Sequence, residues 1–240
     1  MPQGSNSEAL NQAFEALKTY KRGVEPEVLK PIEIAVQAVY NDPAARRALE
    51  KRLAAFLGAP FTPATKDFVC RELALIGSPE SVPALAALLP DESLSHMARY
   101  ALDRIPGPEA DQAMRDVLRT TQGKTRIGVI NSVGVRRDAR SVAALAALLN
   151  DSPQTAGAAA HALGEIGTPE AAKALEAFRK NAPEPLRIEA ADASLTCAAR
   201  LIRDGHRDQG VAILKELNSG KEAPQVLLAA SRALSAATRP

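Results

Sequence analysis

At 240 residues the chain is long enough to bury a substantial core, as one large domain or two ordinary ones. Apolar residues make up 46%, which excludes disorder for most of the length; aromatics at 3% and no Trp leave Leu, Ile, Val and Ala to fill the interior, a composition that suits closely packed helices better than a β-sandwich. Thirty Lys and Arg against 28 Asp and Glu give a net charge of +2, so no global field steers the chain to nucleic acid or an anionic membrane.

Met1–Asn6 reads as a disordered lead-in. Ser7–Lys21 has a helical period in Leu10, Phe14 and Leu17, with Gly23 to end it. Pro26–Tyr40 and Pro43–Leu57 form a helical pair, with Asn41-Asp42-Pro43 supplying cap and first helical residue. Helix–turn–helix units then follow at Ala64–Leu89, Glu92–Arg119, Lys124–Leu149, Ser152–Lys180 and Glu184–Leu217. The last of these carries about nine extra residues, read as a longer first helix through Arg203 and a loop DGHRDQG. Glu222–Ala237 is a final first-type helix.

These units repeat. The second helices align on Leu85, Met114, Leu145, Leu175 and Leu214, at steps of 29, 31, 30 and 39 residues, and each is apolar again three residues on. The first helices end in register as Leu73/Ile76, Leu102/Ile105, Ile130/Val133 and Leu163/Ile166. Gly77 and Gly167 stand where a left-handed residue would close a first helix. Ser78-Pro79-Glu80 and Thr168-Pro169-Glu170 then give a cap, a proline at the first helical position and an acid facing the positive end of the dipole. The expectation is an all-α solenoid of about six or seven helix pairs forming one domain over 1–240, clearest over 64–217.

Paired short helices at a step near thirty, with the phrase ALGEIGTPEAAKAL (Ala162–Leu175), resemble HEAT repeats, in the short bacterial variety first noticed in phycobilisome lyases. The resemblance covers Pro26 to the C-terminus and implies a right-handed superhelix. Most such proteins are adaptors whose second helices line a concave face; some are enzymes or handle chromophores. One enzyme branch, deoxyhypusine hydroxylase, holds two irons on repeated His-Glu dipeptides, and this chain has none. His161 and Glu165 share a helical face, but an i,i+4 pair alone cannot close a metal site. No metal or other cofactor is expected. A bilin-lyase role would need a pocket, and the three Tyr and five Phe are scattered along the sequence. HEAT-like alkylpurine DNA glycosylases use a basic channel with aromatic walls, which the charge and the absence of Trp oppose.

Cys70 and Cys197 lie within apolar helical stripes of different repeats and read as buried free thiols rather than a disulfide. Gly123-Lys124-Thr125 imitates the end of a phosphate-binding loop, but Leu118 stands where its first glycine is needed. One local feature bears on nucleic-acid or acidic-partner binding. From Arg115 to Arg140 seven basic residues, among them Arg115, Arg119, Arg126, Arg136, Arg137 and Arg140, face only Asp116 and Asp138 in the sequence. Arginine dominates, which suits bidentate contact with carboxylate or phosphate, against the plainer reading of a solvated rim paired with acids of the next repeat. The expected function is a non-enzymatic scaffold that binds another protein on the face of its second helices. A ligand-handling protein of the lyase type, and nucleic-acid or acidic-partner binding through the Arg115–Arg140 cluster, are the alternatives. No membrane span is expected, and the cytoplasm is the default compartment.

Overall fold

The computed structural model describes residues 3–21, 23, 26–220 and 222–237, and every element among them is helical. The chain divides into two compact units, Met1–Thr121 and Gln122–Pro240, parted at the turn after the seventh helix.

Unit 1 contains α1 (Gln3–Leu17), α2 (Lys30–Ala38), α3 (Pro43–Gly58), α4 (Pro63–Ile76), α5 (Val82–Ala86), α6 (Ser95–Leu102) and α7 (Pro108–Leu118). Gln3–Asn6, expected to be disordered, forms the first turn of α1; Met1 and Pro2 lie outside the described residues. Leu10, Phe14 and Leu17 supply the periodic face, and once such a helix is nucleated each further residue costs little to add. Phe14 and Leu17 are fully buried. Five of the aromatics that look scattered in the sequence make ring contacts here, Tyr20 with Phe68 and the others among themselves. Phe14 meets Phe56 at 5.6 Å between ring centroids, Phe56 meets Phe61 at 5.0 Å, and Arg52 lies 3.7 Å over the Phe14 ring.

Unit 2 contains α8 (Gly123–Val135), α9 (Val142–Leu148), α10 (Pro153–Ile166), α11 (Pro169–Asn181), α12 (Arg187–Arg203), α13 (Arg207–Ser219) and α14 (Pro224–Ala237). The first helices α8, α10 and α12 stack side by side, and α13 packs mainly on α12 and α14. Small residues set the stacking distance. A methyl group on Gly134 would stand 2.8 Å from Ala162 Cα, and one on Gly164 would stand 2.7 Å from the Ala193 carbonyl oxygen, so neither position admits even alanine without a shift.

The caps form as the sequence requires. Thr168 Oγ1 accepts from Ala171 N–H (3.2 Å), Ser78 Oγ from Glu80 N–H (3.2 Å) and Asp42 Oδ1 from Ala44 and Ala45 N–H (3.0 Å each). Gly167 takes the left-handed conformation (φ 65°, ψ 35°). Gly77 does not: its φ is −61° and its ψ 153°. It is glycine for space, because a Cβ would lie 2.4 Å from the Leu73 carbonyl oxygen and 2.8 Å from Ile105 Cδ1. Some second helices are shorter than the three turns expected. Residues Pro79–Ser81 and Ala139–Ser141 are 3-10 turns that open into α5 and α9, of five and seven residues.

Polar side chains tie two of the turns to the repeat before them. Glu50, 2% exposed, accepts from Ser78 N–H (2.6 Å), Ser78 Oγ–H (2.8 Å) and Ser81 Oγ–H (2.5 Å). Arg46 Nε–H donates to the Ile76 carbonyl (2.8 Å) and its Nη2 to that of Gly77 (3.1 Å). In unit 2 Arg137 does the same for the end of α10, donating to the carbonyls of Glu165 (3.1 Å) and Ile166 (3.0 Å) and to the Asp204 carboxylate. These bonds satisfy helix-end carbonyls that the helix itself leaves without donors.

Candidate functional site

The extra length of the last full repeat has a structural consequence. Helix α12 runs 17 residues, the turn behind it bends at Gly205 (φ +91°), and α13 seats itself on α12 and α14. Its neighbour among the second helices, α11, is thus left with a groove between itself and α13. The groove encloses about 220 Å³. From Pro169 to Arg179 its α11 wall covers eleven residues, roughly 15 Å over ten steps of 1.5 Å.

The floor is apolar. Ala172 and Leu175 come from α11, Ala212 and Ile213 from α13, and Ser194 and Cys197 rise from α12 beneath. The Ser194 hydroxyl is spent on the Ala190 carbonyl (2.8 Å). Cys197 is fully buried, and that burial pushes its thiol up to about 12, so it is protonated at neutral pH. Cys70 in unit 1 is equally buried and is likewise pushed to about 12, by burial first and the nearby Asp67 second. Both cysteines are free, and neither has the exposed, electropositive setting of a nucleophile.

The rim is charged and mostly self-paired. Arg179, with its side chain 12% exposed, bonds Glu216 (2.5 Å) and Glu222 (2.6 Å), closing one end of the groove. Lys180 bonds Glu176 (2.5 Å), which draws the glutamate's carboxyl below its ordinary range. Lys173 and Gln209 stand at the other end. Lys173 is exposed and makes no ion pair among the described residues.

The six arginines singled out in the sequence fall in both units. In unit 1, Arg115 is half-buried on α7 and donates to Gln112 Oε1 (2.9 Å), while Arg119 is exposed just past the helix. In unit 2, Arg126 lies in the first turn of α8 and pairs with Asp151 (3.3 Å). Arg136, Arg137 and Arg140 lie at the opposite end of that helix, roughly 15 Å away by its rise, so unit 2 does not hold them in one cluster with Arg126. Arg137 is committed to helix-end carbonyls and Asp204. Arg140 is exposed, and no side-chain partner holds it among the described residues.

His161 is exposed on α10, and the Glu165 carboxylate four residues on accepts from the Arg200 guanidinium. No group of three or more His, Cys, Asp or Glu among the described residues is placed to hold a metal ion. No described helix is long and apolar enough to cross a membrane. The sequence pointed to the arginines and missed the groove, although its origin was legible as the one irregular step of 39 residues in an otherwise even repeat.

Residues 117–196 match the family model for HEAT repeats. No curated protein matches the chain significantly. Similar solved structures include an engineered protein of the Northeast Structural Genomics Consortium, 20% identical, covering 86% of this chain and 96% of its own with a TM-score of 0.43. Human deoxyhypusine hydroxylase in complex with glycerol is 17% identical, covering 80% of this chain and 98% of its own with a TM-score of 0.37. A second engineered protein of the same consortium is 18% identical, covering 95% and 98% with a TM-score of 0.32.

Proposed function

We propose that this chain, whose residues 117–196 are HEAT repeats, is a non-enzymatic scaffold that holds a partner protein on the face of its second helices. The observation that carries the reading is the character of that face. Within unit 2, Ala144 and Ala147 on α9 are exposed rather than spent on helix–helix contact, leaving a shallow surface, and the α11–α13 groove lies along the second helices of the same unit; within unit 1, Ala87 on the turn ending α5 is exposed as well. Stacked helices hold such a surface in place before binding, so little ordering entropy is lost on association.

A pull-down from the source lysate tests it, comparing wild type with Ala144→Arg/Ala147→Arg. A specific partner captured by wild type and lost by the variant supports the scaffold; no specific partner at all argues against it. A second reading, an acidic partner on the basic residues, draws on the exposed and unpaired Arg140. Arg136→Glu/Arg140→Glu separates the two, and leaves the structurally committed Arg137 in place.

A further inference from the structure

We infer that the seam between α2 and α4 takes an arginine or lysine side chain of a protein partner, held between the carboxylates of Glu33 and Glu72; this adds a contact on the first helices to the scaffold reading above and rests on it. The repeat itself marks the place. The residue before Leu73, Leu102, Ile130 and Leu163 occupies one register of the first helices, and in three of the four it is Ala101, Val129 or Ala162, each fully buried. Glu72 is the fourth, at 6% exposure. Ala162 packs against Gly134 of the preceding first helix, α8, so the same register turns Glu72 towards α2, which packs on α4. A small apolar residue suits that register, and a buried acid that breaks the local rule marks a functional position.

The acid has no counter-charge. Glu72 makes no hydrogen bond or ion pair among the described residues, and neither does Glu33, which is exposed on α2 and opens the pair to solvent. The cations on the two helices are engaged, Lys30 with Glu27 (3.2 Å) and Arg71, which acts on Glu72, with Asp67 (3.7 Å). On the other helices packed against α4, Arg46 and Glu50 of α3 are spent on the turn that follows it, and Arg99 of α6 is drawn to Asp103. Burial first and Glu33 second push the Glu72 carboxyl up to about 7, so near neutral pH a cation can take the place of its proton. An ionised carboxylate buried without a partner is costly, and a cation set beside it removes that cost.

The surroundings select a side chain over a metal ion. A hard divalent ion takes six or more oxygens, and no group of three or more His, Cys, Asp or Glu among the described residues is placed to hold one. Ile34 (56% exposed) follows Glu33 on α2, and Leu75 (62%) lies about one turn beyond Glu72 on α4, apolar surface that suits the methylene stem of Lys or Arg. Helix α2 spans nine residues and covers less of α4 than α8 covers of α10, which keeps the acid pair within reach of a partner.

A random peptide library displayed on phage is depleted on Glu72→Gln and then selected on the wild-type protein at pH 8. Enriched sequences free of His are titrated against wild type, Glu72→Gln, Glu33→Gln and Ala144→Arg/Ala147→Arg. They are expected to share Arg or Lys, and to lose at least about tenfold in affinity on Glu72→Gln, about three- to tenfold on Glu33→Gln and nothing on Ala144→Arg/Ala147→Arg. A cation favours the ionised carboxylate, so wild-type affinity should fall about tenfold from pH 8 to pH 6, and Glu72→Gln should abolish that fall. Methyl chemical shifts of Ile34 and Leu75 in the wild-type protein should move on titration, which locates the peptide whether or not a variant folds. Equal binding to wild type and Glu72→Gln, or a pH dependence that survives the substitution, overturns the seam; a pull-down partner lost by Ala144→Arg/Ala147→Arg then leaves the scaffold standing. Binding of Mg²⁺, Ca²⁺ or Zn²⁺ at the pair with no basic peptide selected also overturns the proposal, in favour of a metal site. No peptide at all overturns the seam as well, and together with no partner in the pull-down it sinks both readings.

Discussion

Glu72→Gln probes the electrostatics of unit 1 most directly. Glu72 lies on α4 at 6% exposure, and burial, then the Glu33 carboxylate on α2, pushes its carboxyl from 4.5 to about 7 against the opposing pull of Arg71. A carboxyl that titrates higher in the folded state binds its proton more tightly there. Its contribution to stability is therefore whole below about pH 4.5 and is lost as the pH rises through about 7. At roughly 1.4 kcal/mol per pH unit the gap sets a ceiling of about 3 kcal/mol, and screening by nearby solvent lowers the expected value to about 2 kcal/mol. Glutamine keeps the shape and cannot ionise. Urea unfolding followed by circular dichroism at pH 4 and pH 8.5 should show Glu72→Gln gaining about 2 kcal/mol on wild type between the two pH values. Titrations not coupled to Glu72 cancel in that comparison, as does any hydrogen bond the amide makes less well. Glu33→Gln should reproduce part of the gain, since it removes the second cause of the shift. A difference between wild type and Glu72→Gln that is the same at both pH values, or larger at pH 4, refutes the reasoning.

Arg137 combines opposed effects. It is the non-glycine residue with positive φ among those described (54°), yet its guanidinium bonds two helix-end carbonyls and Asp204, and that contact holds the Asp204 carboxyl below its usual range. Arg137→Ala keeps the backbone strain and loses the bonds, for an expected cost of about 2 kcal/mol; Arg137→Gly should cost about 1 kcal/mol less, because glycine carries no left-handed penalty. Equal midpoints for the two variants in thermal unfolding would show that the strain is not relieved. Native-state labelling of Cys70 and Cys197 with a disulfide reagent should be slow at neutral pH and accelerate with urea in step with unfolding, since both thiols are buried and protonated. Rapid labelling of either in the folded protein would contradict the packing described.

The helix–turn–helix repeats, their caps and their apolar stripes were legible in the sequence because each is a local matter. Thr168-Pro169-Glu170 caps a helix by chemistry contained in four residues, and Leu175 at its step of thirty must be buried wherever the repeat stacks. Length and composition also determined that helices, not strands, would fill the core. What only the tertiary structure decided are distances between residues far apart in the chain. Arg137 read as a surface cation until the ends of α10 and α12 were brought beside it. Gly77 read as a left-handed cap until Ile105 from the next repeat took the space of its Cβ. The groove appears in neither α11 nor α13 alone. It exists because the 17-residue α12 and the turn at Gly205 carry α13 away from α11, and the width of a gap between two helices is set by what lies beneath both, which no periodicity in either one encodes.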